Sequence, residues 1–229
     1  MLQDKKKFIE LLLDQGVLSF GDFTLKSGRQ SPYFFNMGSV KDGVSIARFG
    51  DAYAQKIRSL DVSAKVLFGP AYKGIPIAVS AAIALAGFGV NMGVAFNRKE
   101  VKDHGEGGSF VGADVTGDVF VVDDVLTAGT AIREACSMIK SAGGNITGVL
   151  VAIDRQEIMA GGETAVNALR EDLGVAIHSL INLQDVIEYL DLSLSEDKNS
   201  IKNTDGSITQ ANGDVLAKLV EYQQQYCLS

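Results

Sequence analysis

Cysteine is scarce in this chain of 229 residues: Cys136 lies inside a helical pattern, Cys227 lies near the end, and no paired spacing accompanies either. That excludes a disulfide-stapled scaffold and a thiolate zinc site, and it fits a reducing cytoplasm. Positive charge is in deficit as well, with 21 Lys and Arg against 28 Asp and Glu and a net charge of -7. A protein built to coat nucleic acid or an anionic membrane is excluded, so any anion site must be local. Long uncharged runs are few. The longest, Gly74 to Asn97, is interrupted by Pro76, Ser80, Gly87, Gly89, Asn91 and Gly93. It reads as an Ala-rich helix, a turn and a short strand ending at Phe96, and no membrane span is expected. Lys5 to Lys7 precede an apolar stretch broken by acids at helical spacing, an amphipathic helix and not a signal peptide. No internal repeat occurs.

What is present is ordinary globular composition, 46% hydrophobic and 21% charged, in a chain long enough to bury ~70% of its unfolded surface. Lys65 to Phe68 is an apolar run closed by Gly69-Pro70 and followed by helical character from Ile77 to Leu85. The pattern returns in Val119 to Val122, which ends in Asp123-Asp124 and leads to Ile132, Ala135, Cys136 and Ile139 at helical spacing, stopped by Gly143-Gly144. Val149 to Ile153 is another buried strand, and Val175 to Ile177 one more. Continuous apolar strands alternating with helices predict an α/β fold with a mostly parallel sheet covered on both faces. Ligands in such sheets collect at the carboxyl ends of the strands, where this sequence places Tyr72-Lys73, Arg98-Lys99, Asp123-Asp124 and Asp154-Arg155. Phe23 to Asn36 reads as a hairpin or flap; 193–214 is a polar surface loop before a last helix at Val215 to Tyr222.

The most specific segment is Val121 to Thr130: an apolar strand runs into two acids, then small and hydroxyl residues open a helix. Small residues let backbone N–H groups approach an anion, and a helix N-terminus favours negative charge. That describes a monophosphate cradle. The carboxylates beside it must face something else, sugar hydroxyls or a divalent cation, and a ribose 5-phosphate satisfies both halves. Asp124 as a mere helix cap would explain one acid but not the pair. Competing motifs fail on spacing. Ile75 follows Gly74 where a Walker loop needs Lys-Ser or Lys-Thr, and Gly105 to Gly108 lacks the dinucleotide fingerprint. Receiver domains place such acids near their N-terminus, whereas here about half the chain precedes them. Arg98 to Gly108 gathers Arg98, Lys99, Lys102 and His104 among glycines, with few apolar anchors; it reads as a mobile lid that closes over an anion. His178 falls in a strand pattern and reads as structural.

The Asp123-Asp124 segment resembles the phosphoribosyl diphosphate signature of the type I phosphoribosyltransferases. Five further segments, in order, resemble the orotate phosphoribosyltransferases: Thr24 to Arg29, Ser31 to Asn36, Phe68 to Pro76, the Arg98 to Gly108 lid, and Asp154 to Glu157. The likeness runs from about residue 8 to 190. It implies the type I fold as one domain over 1–229, with a hood at about 1–40, a core at about 41–190, and a polar loop and helix beyond. It implies transfer of phosphoribose from phosphoribosyl diphosphate to orotate in UMP synthesis, with Mg2+ held mainly through the substrate and no dedicated protein metal site. The residues matching the family's phosphoribosyl diphosphate contacts are Lys26, Tyr72, Lys73, Arg98, Lys99, Lys102, His104 and the run Asp123, Asp124, Val125, Leu126, Thr127, Ala128, Gly129, Thr130 and Ala131. Lys102, His104, Asp123 and Asp124 match its catalytic positions, and Phe34, Phe35, Thr127 and Arg155 its orotate contacts. A homodimer whose lid reaches the neighbouring subunit's site is implied. A non-catalytic sensor of phosphoribosyl diphosphate, or a transferase for another base, is the alternative.

Overall fold

The computed structural model describes residues 3–25, 27–102, 108–126, 129–195, 201–202, 208–209 and 213–227, and its contacts divide the chain into two compact units. The helices are α1 (Gln3–Asp14), α2 (Gly43–Ser59), α3 (Gly74–Gly87), α4 (Thr130–Ser141), α5 (Ala165–Leu173), α6 (Leu183–Ser195) and α7 (Gly213–Tyr226). The strands are β1 (Leu18–Thr24), β2 (Gln30–Phe35), β3 (Val66–Phe68), β4 (Gly93–Lys102), β5 (Gly108–Gly112), β6 (Asp118–Val125), β7 (Asn145–Asp154), β8 (Ile177–Asn182) and the short pair β9 (Ile201–Lys202) and β10 (Ile208–Thr209).

One unit comprises 46–152 and 165–180. It carries the main sheet, in the order β5-β4-β3-β6-β7-β8, with β3 parallel to both β4 and β6 and β5 antiparallel to β4. β6 and β7 are buried almost without a break because both faces are covered, so their sequences are apolar at successive positions. Val119, Val121, Val149 and Val151 pack with Ile132, Cys136 and Ile139 of α4. Those helical residues share one face by their spacing of three and four.

The other unit comprises 1–45, 153–164 and 181–229. Its β1–β2 hairpin is the expected flap, antiparallel with a register shift between Phe20 and Phe23. α1 buries Phe8, Ile9, Leu11, Leu12 and Leu13, and Lys5 on its polar side pairs with buried Asp185 of α6 at 2.7 Å.

Several boundaries depart from the sequence reading. The strand expected to end at Phe96 continues to Lys102, because β5 pairs with its polar half, Asn97 opposite Phe110 and Lys102 opposite Gly108. Backbone pairing there replaces the hydrophobic pattern that marks other strands. The last strand begins at Ile177 where Val175 was expected, and α7 extends from Gly213 to Tyr226, beyond the expected Val215 to Tyr222. Residues 103–107 of the expected lid and most of the 193–214 stretch lie outside the described residues.

The turn from β3 into α3 depends on a bare backbone at Gly69, where a Cβ would overlap the carbonyl of Gly74. Gly69→Ala is expected to lose about 3 kcal/mol or more, read as a lower urea midpoint. A variant as stable as its parent would mean that the turn relaxes around the added methyl.

Candidate active site

The centre of the larger unit is the end of β6. Asp123 and Asp124 are 8% and 6% exposed, and consecutive carboxylates at such depth must each find partners. Asp123 Oδ1 accepts from the Asp124 N–H at 2.9 Å, and Asp124 Oδ1 from the Val125 N–H at 2.8 Å. Asp124 therefore caps its own strand end and not the following helix. Its Oδ2 lies 2.9 Å from Lys73 Nζ, an ion pair without hydrogen-bond alignment, so this oxygen retains unused acceptor capacity among the described residues. Burial first, and then the neighbouring Asp124 charge, push the Asp123 carboxyl up to about 7, opposed by the Asp124 N–H and by Lys73.

α4 follows with an open N-terminus. Gly129 at its N-cap adopts φ 73°, left-handed, and no side chain caps the helix. Backbone donors at Thr130 and Ala131 thus begin a helix with the geometry of an anion site. Val125 is half-buried and Leu126 sits in the core, so these two shape the turn; Thr127 and Ala128 lie outside the described residues.

Lys73 stands at the N-cap of α3, half-exposed and pointing its ammonium at Asp124. Tyr72 beside it is exposed, and the Ala71–Tyr72 peptide is cis. Arg98 on β4 is half-buried, with its Nε unpartnered among the described residues. The side chains of Lys99 and Lys102, together with Lys26 and His104, lie outside the described residues. Two residues that sequence reasoning missed complete this part. Tyr53 of α2, fully buried, donates its hydroxyl to the Asp123 carbonyl at 2.7 Å, and Asn97 Oδ1 accepts from the Ala71 N–H at 2.9 Å.

The chain matches the phosphoribosyl transferase domain model over residues 38–159. It is 54% identical to an orotate phosphoribosyltransferase of Photobacterium profundum over 187 residues, 81% of this chain and 88% of that one. The corresponding protein of Saccharophagus degradans is 45% identical across 97% of both chains. The crystal structure of orotate phosphoribosyltransferase from Francisella tularensis superposes with a TM-score of 0.81 at 37% identity, covering 97% of this chain and all of that one.

The chain belongs to the orotate phosphoribosyltransferase family.

In this orotate phosphoribosyltransferase-family chain, the smaller unit gathers a second set of the expected residues. On β2, alternation turns Phe34 outward, 40% exposed and stacked on Phe23 at 5.3 Å, while Phe35 turns into the core. Arg155 is 7% exposed, and its guanidinium is already engaged: Nε and Nη2 reach Glu157 Oε1 at 2.7 and 2.6 Å, and Nη2 also donates to Ser31 Oγ at 3.2 Å. None of these three contacts is made through Nη1. His178 on β8 is partly buried, its pKa lowered by burial and by Lys56 and Arg170, in keeping with a structural role.

The raised Asp123 carboxyl links stability to pH. The folded group holds its proton to about pH 7, whereas an unfolded aspartate loses it near 4. Folded protein therefore binds more protons between those values, and this contribution to stability is full at low pH and lost as pH rises through 7. In melts without substrate, Asp123→Asn is expected to be more stable than its parent at pH 8, by at most about 4 kcal/mol, with the difference vanishing near pH 4. A pH-independent difference would contradict the assignment.

Proposed function

We propose that the chain transfers the 5-phosphoribosyl group from phosphoribosyl diphosphate to orotate, releasing pyrophosphate and forming orotidine 5'-monophosphate in UMP synthesis, with 1–229 acting as one phosphoribosyltransferase domain. The observation that carries the reading is the end of β6: two buried carboxylates followed by a helix whose N-terminus is entered through left-handed Gly129 and left uncapped. Ribose hydroxyls donate to Asp123 and Asp124, and the same carboxylates favour the positive charge that develops on the sugar as its anomeric bond to pyrophosphate breaks. The 5-phosphate rests on the backbone of Thr127 to Ala131. The diphosphate draws on Lys73, Arg98, Lys99, Lys102 and His104, with Lys26 and the Tyr72 backbone beside it. Orotate's ring nitrogen forms the new bond to the anomeric carbon. Phe34 offers a ring face to the base, Phe35 anchors that strand, Thr127 lies within the binding segment, and Arg155 Nη1 meets the acceptor's carboxylate.

The donor set suits magnesium. Mg2+ retains waters and binds through few carboxylates plus substrate phosphates, and the unused acceptor at the end of β6, Asp124 Oδ2, agrees with a cation held mainly through the substrate. When bound, it neutralises diphosphate oxygens and eases departure of pyrophosphate. No helix among the described residues is long and apolar enough to cross a membrane, and the two free, buried cysteines agree with a cytoplasmic setting. Apolar exposure at Val79, Ile83, Phe88 and Val90, with Ile83 at 70%, supports a homodimer, and a lid that reaches the neighbouring subunit's site is part of the same proposal.

Pyrophosphate release from phosphoribosyl diphosphate and magnesium is expected with orotate and not with uracil, adenine or hypoxanthine. Release with a purine would reassign the acceptor, and release with none would favour a sensor. Lys102→Ala is expected to fold as its parent does and to lose about 100- to 1000-fold in kcat; near-full turnover would remove Lys102 from the mechanism. Arg155→Ala should raise KM for orotate while leaving that for phosphoribosyl diphosphate largely unchanged, and an equal rise in both would contradict its assignment to the acceptor.

A further inference from the structure

After β7 the chain turns sharply and packs against the end of α7. Asp154 Oδ1 accepts from the Gln156 N–H at 2.8 Å, and Gln156 takes a left-handed φ of 57°. The turn brings the side chains of Arg155 and Glu157 together, so that both Nε and Nη2 of Arg155 converge on Glu157 Oε1. Tyr222 of α7 donates its hydroxyl to that same oxygen at 2.7 Å. Backbone contacts hold the two segments together: the Ile158 N–H donates to the Tyr226 carbonyl at 2.8 Å, and the Cys227 thiol to the Arg155 carbonyl at 3.5 Å. Below the guanidinium lies the Tyr33 ring, 4.2 Å from its central carbon, and Tyr222 meets that ring edge-on at 5.9 Å between centroids.

Glu157 has a competing partner. Arg29 Nη1 lies 3.5 Å from Oε2, so the carboxylate stands between two guanidiniums. The Tyr222 hydroxyl biases the contest, because its hydrogen bond is made on the Arg155 side, to Oε1. Loss of that hydroxyl frees the carboxylate to rotate toward Arg29 and relaxes the orientation of Arg155. A buried charged network of this kind transmits such changes strongly.

We propose that Tyr222 is a positioning residue for the acceptor, acting through Glu157 to hold the Arg155 guanidinium in one orientation with Nη1 presented to the orotate carboxylate. α7 is on this view part of acceptor recognition. The inference rests on the assignment of Arg155 to orotate.

Tyr222→Phe keeps the ring against Tyr33 and removes the hydroxyl alone. Pyrophosphate release is measured with each substrate varied in turn, beside thermal melts. The expected result is a rise in KM for orotate of about 5- to 20-fold, the range a weakened charged hydrogen bond transmits. KM for phosphoribosyl diphosphate should stay within about 2-fold and the melting temperature within about 3 degrees, since the packing is kept. In an Arg155→Ala background the same substitution should change kcat/KM for orotate by less than about 2-fold, as it must if it acts through that guanidinium. Glu157→Gln, which retains an acceptor but loses the charge, should show the same selective rise and serves if Tyr222→Phe folds poorly. An unchanged KM for orotate, equal rises for both substrates, or an undiminished effect without Arg155 would overturn the proposal. Wild-type protein inactive with orotate would overturn the functional reading and this inference together, whereas an active wild type with an indifferent Tyr222→Phe overturns the inference alone.

Discussion

Placing two neighbouring carboxylates under cover at the end of one strand is costly, and much of the larger unit is arranged around that cost. Desolvation and mutual repulsion both oppose charge on Asp123. Each acid is relieved by the peptide N–H that follows it, and Lys73 brings a compensating charge from a different loop. Relief is partial. The pair remains short of positive charge and of donors, and Asp124 Oδ2 keeps acceptor capacity unused among the described residues. Preorganised sites of this sort keep catalytic groups from being satisfied by the protein alone.

The architecture brings that pair to the carboxyl end of a central strand and keeps it buried. Apolar burial along β6 and β7 fixes the strand in register, so Asp123 and Asp124 emerge just beyond the end of β3, whose Phe68 lies opposite Val121. At Gly69 a side chain would block the approach of backbone to backbone, and at Gly129 the left-handed φ disfavours one. The hairpin unit carries a different arrangement, an outward aromatic ring at Phe34 and a guanidinium wedged between Glu157, Ser31 and Tyr33.

Local features were readable from the chain. The hairpin begins at Leu18, five residues before the expected Phe23, whereas the apolar strand ending in Asp123-Asp124, the helix at Ile132 to Ile139 and the amphipathic α1 carry their pattern within a dozen residues. The polar half of β4 did not, since its order comes from hydrogen bonds to β5 and leaves no hydrophobic alternation at Arg98 or Lys102. α2, α5 and α6 were passed over although their apolar spacing is as regular as that of α1. Partners distant in sequence were invisible for a plainer reason. Tyr53 meets Asp123, and Tyr222 meets Glu157, across separations that no local pattern encodes. Glu157 stood inside a recognised motif, yet its occupation of the Arg155 fork is set by the turn at Gln156 and by α7.

Asn97 makes one strand answerable for two loops. Its amide oxygen grips the peptide of Ala71, two residues before Lys73, while the same strand runs on to Lys102 at the root of the β4–β5 hairpin. The loop that carries the Lys73 ammonium is therefore moored to the strand that pairing with β5 prolongs.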